Sequence, residues 1–193
     1  MVAFGRPALN GGFSLIELLI VVVIMGILLS MAALPFQELL ANQRLRSVTS
    51  DLVADLALAR AEAIKRSSRV GIARTTADWT GGWLVFDDLN RDGTFDPETD
   101  GDGLCEAGEE CVIISRPALN ETVRVCGVGA AFDVLTFGAD GAVRAYNGGA
   151  LSAVVPSIAV SSTLVSPGVP ARGLEFSPSG RVTVVTSGVA ACP

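Results

Sequence analysis

The chain has 193 residues, a net charge of −6 and no histidine. The missing histidine removes Ser–His and Cys–His catalysis and His-ligated metal centres together. The surplus of 20 Asp and Glu over 14 Lys and Arg argues against a general nucleic-acid binder, which needs a basic footprint. No GxxxxGK[ST] stretch is present, so the chain is not a P-loop ATPase.

In chain order, residues 1–12 read as a short leader whose one charge is Arg6. Gly11-Gly12-Phe13-Ser14-Leu15-Ile16-Glu17-Leu18 then opens an apolar run that reaches Leu34. An ionised glutamate at membrane depth is costly unless it finds a partner. Cutting the chain after Gly12 would place a new α-amino group on Phe13, a few residues from Glu17. A secretory signal peptide has an apolar region of 7–15 residues and no acid inside it. A plain anchor needs about 20 apolar residues, which Phe13–Leu34 meets, but it gives Glu17 and the paired glycines no purpose.

Pro35 marks a kink or a boundary where the apolar run ends. Beyond it, Leu45, Val48, Leu52, Leu56, Ala59 and Ala63 recur at steps of three or four, which predicts an amphipathic helix over 36–67. Arg44, Arg46, Asp51, Asp55, Arg60, Glu62, Lys65 and Arg66 form its polar face. After Ser68 the pattern becomes strand-like. Strands are predicted at Arg69–Ala73, Gly82–Phe86, Cys111–Ser115, Thr122–Val125, Val134–Phe137, Ile158–Val160, Gly173–Phe176 and Arg181–Val185. Leu135, Phe137, Gly141 and Val143 recur as Leu174, Phe176, Gly180 and Val182, an offset of 39 that reads as two similar β-hairpins or as coincidence among common strand residues.

Ten acidic residues crowd between Asp87 and Glu110, opposed only by Arg91. Within them, Asp88-Leu89-Asn90-Arg91-Asp92-Gly93-Thr94-Phe95-Asp96 fits the first nine positions of an EF-hand-type calcium loop. Oxygen ligands at every second position converge on one hard cation, which makes Asp88, Asn90, Asp92 and Asp96 candidate calcium ligands. The twelfth position is Thr99 instead of Glu, with Glu98, Asp100 and Asp102 nearby. The alternative is a solvated Asp/Asn/Gly turn between strands.

Gly12-Phe13-Ser14-Leu15-Ile16-Glu17-Leu18 resembles the processing signal of type IV prepilins and type II secretion pseudopilins. Leu56–Arg66, Gly81–Asp88 with Asn90, Asp92 and Gly93, and Phe176–Val182 resemble the GspH/FimT branch of that family. The resemblance runs with gaps from Gly12 to about Val184 and is weakest between Arg144 and Arg172. It implies an α+β fold: a long N-terminal α-helix, transmembrane in its first half and amphipathic in its second, packed on a β-rich antiparallel head. The implied organisation is leader 1–12, membrane or filament-core helix 13–35, helix continuation 36–67 and head 68–193. The resemblance further implies cleavage between Gly12 and Phe13 by a prepilin peptidase and N-methylation of Phe13. It also implies pairing of Glu17 with the N-terminus of a neighbouring subunit.

The expected role is that of a minor pseudopilin or minor pilin with no catalytic residues and no required cofactor, calcium being the candidate ligand. The alternative is a minor pilin whose head binds DNA or an exported substrate. Some FimT-type pilins carry a Gly-Arg-x-Arg segment linked to DNA uptake. Here Gly180 and Arg181 match and Thr183 replaces the second arginine, leaving Arg181, with Arg144 and Arg172, as the basis for any nucleic-acid contact. The expected location is the bacterial inner membrane, single-pass with the N-terminus cytoplasmic and the head periplasmic, and then a pilus or pseudopilus. An exported head meets an oxidising compartment, so Cys105, Cys111, Cys126 and Cys192 are expected in disulfides. Of the three possible pairings, Cys105–Cys111 would close a short acidic loop and Cys126–Cys192 would pin the last strand.

Overall fold

The structure is a computed structural model. It describes residues 14–96, 108–129, 131–164 and 169–192, with residues 31–35 described by backbone alone. The processing residues Gly12 and Phe13, Cys105, and the acids from Glu98 to Asp102 therefore lie outside the described residues.

One helix, α1, runs from Leu15 to Arg66 without a break at Pro35. Among the described residues ten strands follow: β1 (Val70–Arg74), β2 (Trp83–Asp87), β3 (Val112–Arg116), β4 (Val123–Val128), β5 (Val134–Phe137), β6 (Val143–Asn147), β7 (Ala150–Leu151), β8 (Ser157–Ser162), β9 (Arg172–Phe176) and β10 (Val182–Val185). They form two antiparallel sheets, β3-β2-β1-β5-β6-β7 and β10-β9-β8-β4. The chain divides into two compact units, Met1–Gln37 and Glu38–Pro193. In the first, thirteen large apolar side chains from Leu15 to Leu29 are each at least half exposed. Among the described residues, no helix is long and apolar enough to cross a membrane. The run expected from the sequence, Phe13–Leu34, extends past the described side chains at both ends.

In the second unit the helical period does what amphipathic periods do. Leu45, Leu52, Leu56, Ala59 and Ala63 are fully buried, and Val48 packs against them. They share one core with Val70, Ile72, Val85, Leu135 and Phe137 of the six-stranded sheet and with Val125, Ile158, Val160 and Leu174 of the four-stranded sheet. Full burial of each leucine stabilises the fold by about 1.5–3 kcal/mol. The strand period of two sends alternate residues of the six-stranded sheet outward. There Ala73, Phe86, Val134 and Tyr146 form a second, smaller cluster.

One buried charge fixes the helix against the larger sheet. Asp55 lies on the apolar stripe with only 2% of its surface exposed. Its Oδ2 accepts from Trp83 Nε1 at 2.9 Å and from Arg116 Nε at 2.8 Å, and its Oδ1 accepts from Arg116 Nη2 at 3.0 Å. These bonds raise the Arg116 guanidinium above its ordinary pKa. Arg116 and Trp83 are themselves cross-strand partners, so one carboxylate holds both strands at a single rung.

The two similar segments form hairpins with the same turn. Gly141 N–H bonds Gly138 O at 2.8 Å while Gly138 N–H bonds Ala142 O at 3.0 Å; Gly180 N–H bonds Ser177 O at 2.8 Å while Ser177 N–H bonds Arg181 O at 2.9 Å. Gly141 and Gly180 take φ of 73° and 76°, the left-handed closing position of a three-residue hairpin loop. The hairpins belong to different sheets, yet their turns touch. A Cβ on Gly180 would lie 2.0 Å from Gly141 O, to which Arg60 Nε also donates at 3.2 Å.

Cys126 of β4 is disulfide-bonded to Cys192, closing a 66-residue separation, and Cys192 N–H donates to Ser161 Oγ at 3.0 Å. Cys111 is also disulfide-bonded.

Asp55→Ala leaves Arg116 and the Trp83 indole without their acceptor. Because Arg116 is partly solvated, the expected loss is about 2–4 kcal/mol, at or below the usual range for a broken buried pair. It is read as a lowered urea midpoint, with exposed Glu121→Ala as the neutral comparison. Replacing both Cys126 and Cys192 by Ser removes a long-loop crosslink. It should lower stability by about 2–4 kcal/mol in the same assay under non-reducing conditions.

Candidate functional site

Two regions carry the residues singled out in the sequence. At the start of α1, Ser14 O accepts from the N–H groups of Glu17 and Leu18 at 3.1 and 3.2 Å, which opens the first helical turn. Glu17 lies in that turn, exposed, and among the described residues nothing pairs with its carboxylate. A negative charge there is favoured by the helix dipole.

The second region is the acidic turn after β2. Helix α1 ends at Arg66 and is closed by Ser67, whose φ is 53°, with Ser68 N–H bonded to Ala63 O at 3.2 Å. Arg66 Nη1 and Ser68 Oγ then reach Asp87 Oδ2 and Oδ1 at 3.1 and 2.9 Å, fixing the end of β2 beside the end of the helix. From there residues 88–96 fold over the outer cluster of the large sheet. Phe95 packs edge-on against Phe86 with ring centroids 5.1 Å apart. Gly93, at φ 74°, rests on the Tyr146 ring, which a Cβ would meet at 2.4 Å.

These contacts aim three carboxylates at one point. Asp88, Asp92 and Glu110 each offer an oxygen within 4.8 Å of the others. Asp88 is fully buried and Glu110 is 7% exposed. Burial pushes the Asp88 carboxyl up, against the pull of Arg69 and of the Gly93 and Arg91 amides; burial does the same to Glu110, and neighbouring Asp88 adds to it. Asp92 is held down by Thr94, whose Oγ1 and N–H donate to its Oδ1 at 2.6 and 2.7 Å.

Of the four ligands expected from the sequence, the structure brings Asp88 and Asp92 together. Asn90 and Asp96 brace them instead. Asn90 Nδ2 donates to Asp92 Oδ2 at 3.0 Å and to Asp96 Oδ2 at 3.2 Å, and Asp96 N–H donates to Glu110 Oε2 at 3.0 Å. Glu110 was not among the expected ligands. The signal for it lay in the hairpin: β2 and β3 are antiparallel and Asp87 N–H bonds Cys111 O at 3.0 Å, so Glu110, two residues before β3, comes beside Asp88, the residue after β2.

The arginines are dispersed. Arg172 lines a cleft with Arg46, Thr49 and Ser50, whereas Arg144 lines another with Arg69, Arg91 and Asp140. Arg181 follows the second hairpin turn, exposed.

A helix that begins with a lone glutamate in an exposed apolar run, and ends packed on an antiparallel head, defines a type IV pilin-like protein. The Type II transport protein GspH family matches residues 48–188, most of the chain, and the prokaryotic N-terminal methylation motif matches residues 8–33. The chain belongs to the GspH family. It is 40% identical over 89 residues to the pilin-like protein PilA1 of Thermus thermophilus, a stretch that is 45% of this chain and 53% of that protein. The chain thus matches about half the length of that curated relative. Two crystal structures of the type IV minor pilin FimU from Pseudomonas aeruginosa share the fold, with TM-scores of 0.51 and 0.53. Their identity is 18% and 19%, and the matches cover 76% and 77% of this chain and 96% and 93% of theirs.

Gly93→Ala puts a methyl group into the Tyr146 ring at a left-handed backbone position. It should cost about 2 kcal/mol or more, measured as a lowered thermal midpoint, whereas Gly188→Ala, with open space around it, should cost less.

Proposed function

We propose that the chain is a minor pilin or pseudopilin, a structural subunit of a type IV pilus or a type II secretion pseudopilus. The observation that carries this reading is the union, on one chain, of the N-terminal methylation motif with a GspH-type head. Apolar side chains that stand half exposed from Leu15 to Leu29 need lipid or other helices around them, and a bilayer followed by a filament core supplies both.

In this reading a prepilin peptidase cuts between Gly12 and Phe13, and Phe13 is N-methylated. Before assembly the run from Phe13 crosses the inner membrane once. Arg6, the single charge of the leader, keeps the N-terminus cytoplasmic. The head then lies in the periplasm, where a disulfide such as Cys126–Cys192 persists. Glu17 in lipid costs about 3 kcal/mol. Pairing with the Phe13 amino group of a neighbouring subunit relieves that cost and favours entry into the filament. Packing of apolar helices supplies the remaining drive. No residue acts as a catalyst in this scheme.

Two measurements on the native host test it. Mass spectrometry of the chain from sheared filaments or from the membrane should give an N-terminal methylated Phe13. Glu17→Ala should be processed and reach the membrane but fall to a small fraction of the normal level in filaments. Normal incorporation of Glu17→Ala, or a mature N-terminus other than Phe13, would refute the assembly role.

A further inference from the structure

We propose that Asp88, Asp92 and Glu110 bind one calcium ion, which ties the turn after β2 to the segment that leads into β3. The proposal goes beyond the assembly role and stands apart from it: the Glu17 contact does not depend on a cation in the head.

The geometry is that of a site rather than of an acidic surface. Calcium binds carboxylate oxygens at about 2.3–2.6 Å, so oxygens on one ion lie no more than about 5 Å apart. The three acids present oxygens within 4.8 Å of one another. Asp88 is fully buried, and neither of its oxygens completes a hydrogen bond of normal geometry, although the Gly93 and Arg91 amides pull on its carboxyl; Glu110 is 93% buried, and only its Oε2 is bonded, by Asp96 N–H, while its Oε1 has no partner. Buried carboxylate oxygens left short of donors are costly, and natural proteins satisfy them with a cation or a bonding partner. Among the described residues, the cation that pairs with the cluster is Arg69, whose Nη1 lies 3.5 Å from Asp88 Oδ2. That nitrogen already donates to Arg91 O at 2.6 Å and Tyr146 Oη at 2.9 Å. One guanidinium against three carboxylates leaves an unbalanced negative charge, and a divalent ion balances it.

The donor set selects the ion. All three ligands are carboxylates, and neither histidine nor a free cysteine stands among the described residues, which suits a hard cation and not zinc. The ligands come from two chain segments on an irregular turn, and calcium tolerates such geometry where magnesium demands a near-ideal octahedron. Glu110 thereby supplies the carboxylate that the turn's own twelfth position, Thr99, does not.

The test uses the full chain in detergent, freed of metal with EGTA and titrated with calcium chloride by calorimetry and by thermal unfolding. The expected result is one ion per chain and a midpoint about 5–10 °C higher at saturation. Glu110→Gln and Asp92→Asn should each weaken binding at least about tenfold. Asp140→Asn, an exposed acid of the β5–β6 turn, should bind as the unaltered chain does. Should Glu110→Gln fail to fold, Asp92→Asn decides alone, because Asp92 is exposed. Three results overturn the proposal: no heat and no midpoint shift at millimolar calcium, unaltered affinity in Asp92→Asn, or an equal response to magnesium chloride.

Discussion

The position of the helix on the large sheet depends on Asp55. A buried carboxylate holds together only if donors reach it from all the elements around it, and here they come from the two members of one cross-strand pair. Leucines alone would let an amphipathic helix slide or rotate at modest cost, since apolar contacts are not directional. A slip of one residue moves a side chain by 1.5 Å along the axis and by about 100° around it. Asp55 would then leave both the indole and the guanidinium. Hydrophobic burial supplies the drive for packing, and this carboxylate selects a single register.

The strand pair that Asp55 clamps at one end opens at its other end into the acidic turn. A register fixed at Trp83 and Arg116 carries along β2 and β3, with one bulge between Val85 and Phe86, to the bond from Asp87 N–H to Cys111 O, beyond which Asp88 and Glu110 come together. The two ends treat charge in opposite ways. At the first, donors surround the acid. At the second, three acids converge on a turn that packs on Phe86 and Tyr146, with Arg69 against Asp88. Packing of Phe95 on Phe86 and of Gly93 on the Tyr146 ring gives the turn a fixed shape.

Much of this was legible in the sequence because it is local. The stripe from Leu45 to Ala63, the positions of eight strands and the paired hairpins all follow from periods of 3.6 and 2 and from glycine at closing positions. Strand β6 was implied by the first hairpin, but β7 is two residues long and leaves no period to detect. Pro35 was a possible boundary, yet α1 runs through it. What the sequence did not reveal is long-range. Nothing in the offset of 39 says that its two copies enter different sheets. Asp55 read as part of a solvated face, because its partners lie 28 and 61 residues away. Glu110 read as one acid among ten for the same reason.

The contact between Gly141 and Gly180 bears on how this head can vary. Two strands of a hairpin tolerate exchange of their residues as long as the alternation survives. Two turns that meet backbone to backbone do not: a side chain at Gly180 would collide with Gly141 O and push the turns apart, and one at Gly141 would press on Arg60 and Ile64. If the hairpins arose by duplication, their strands were free to diverge while their corners stayed yoked. Length changes, tags and grafted loops are then excluded from these corners and belong at turns such as Gly188, which faces open space.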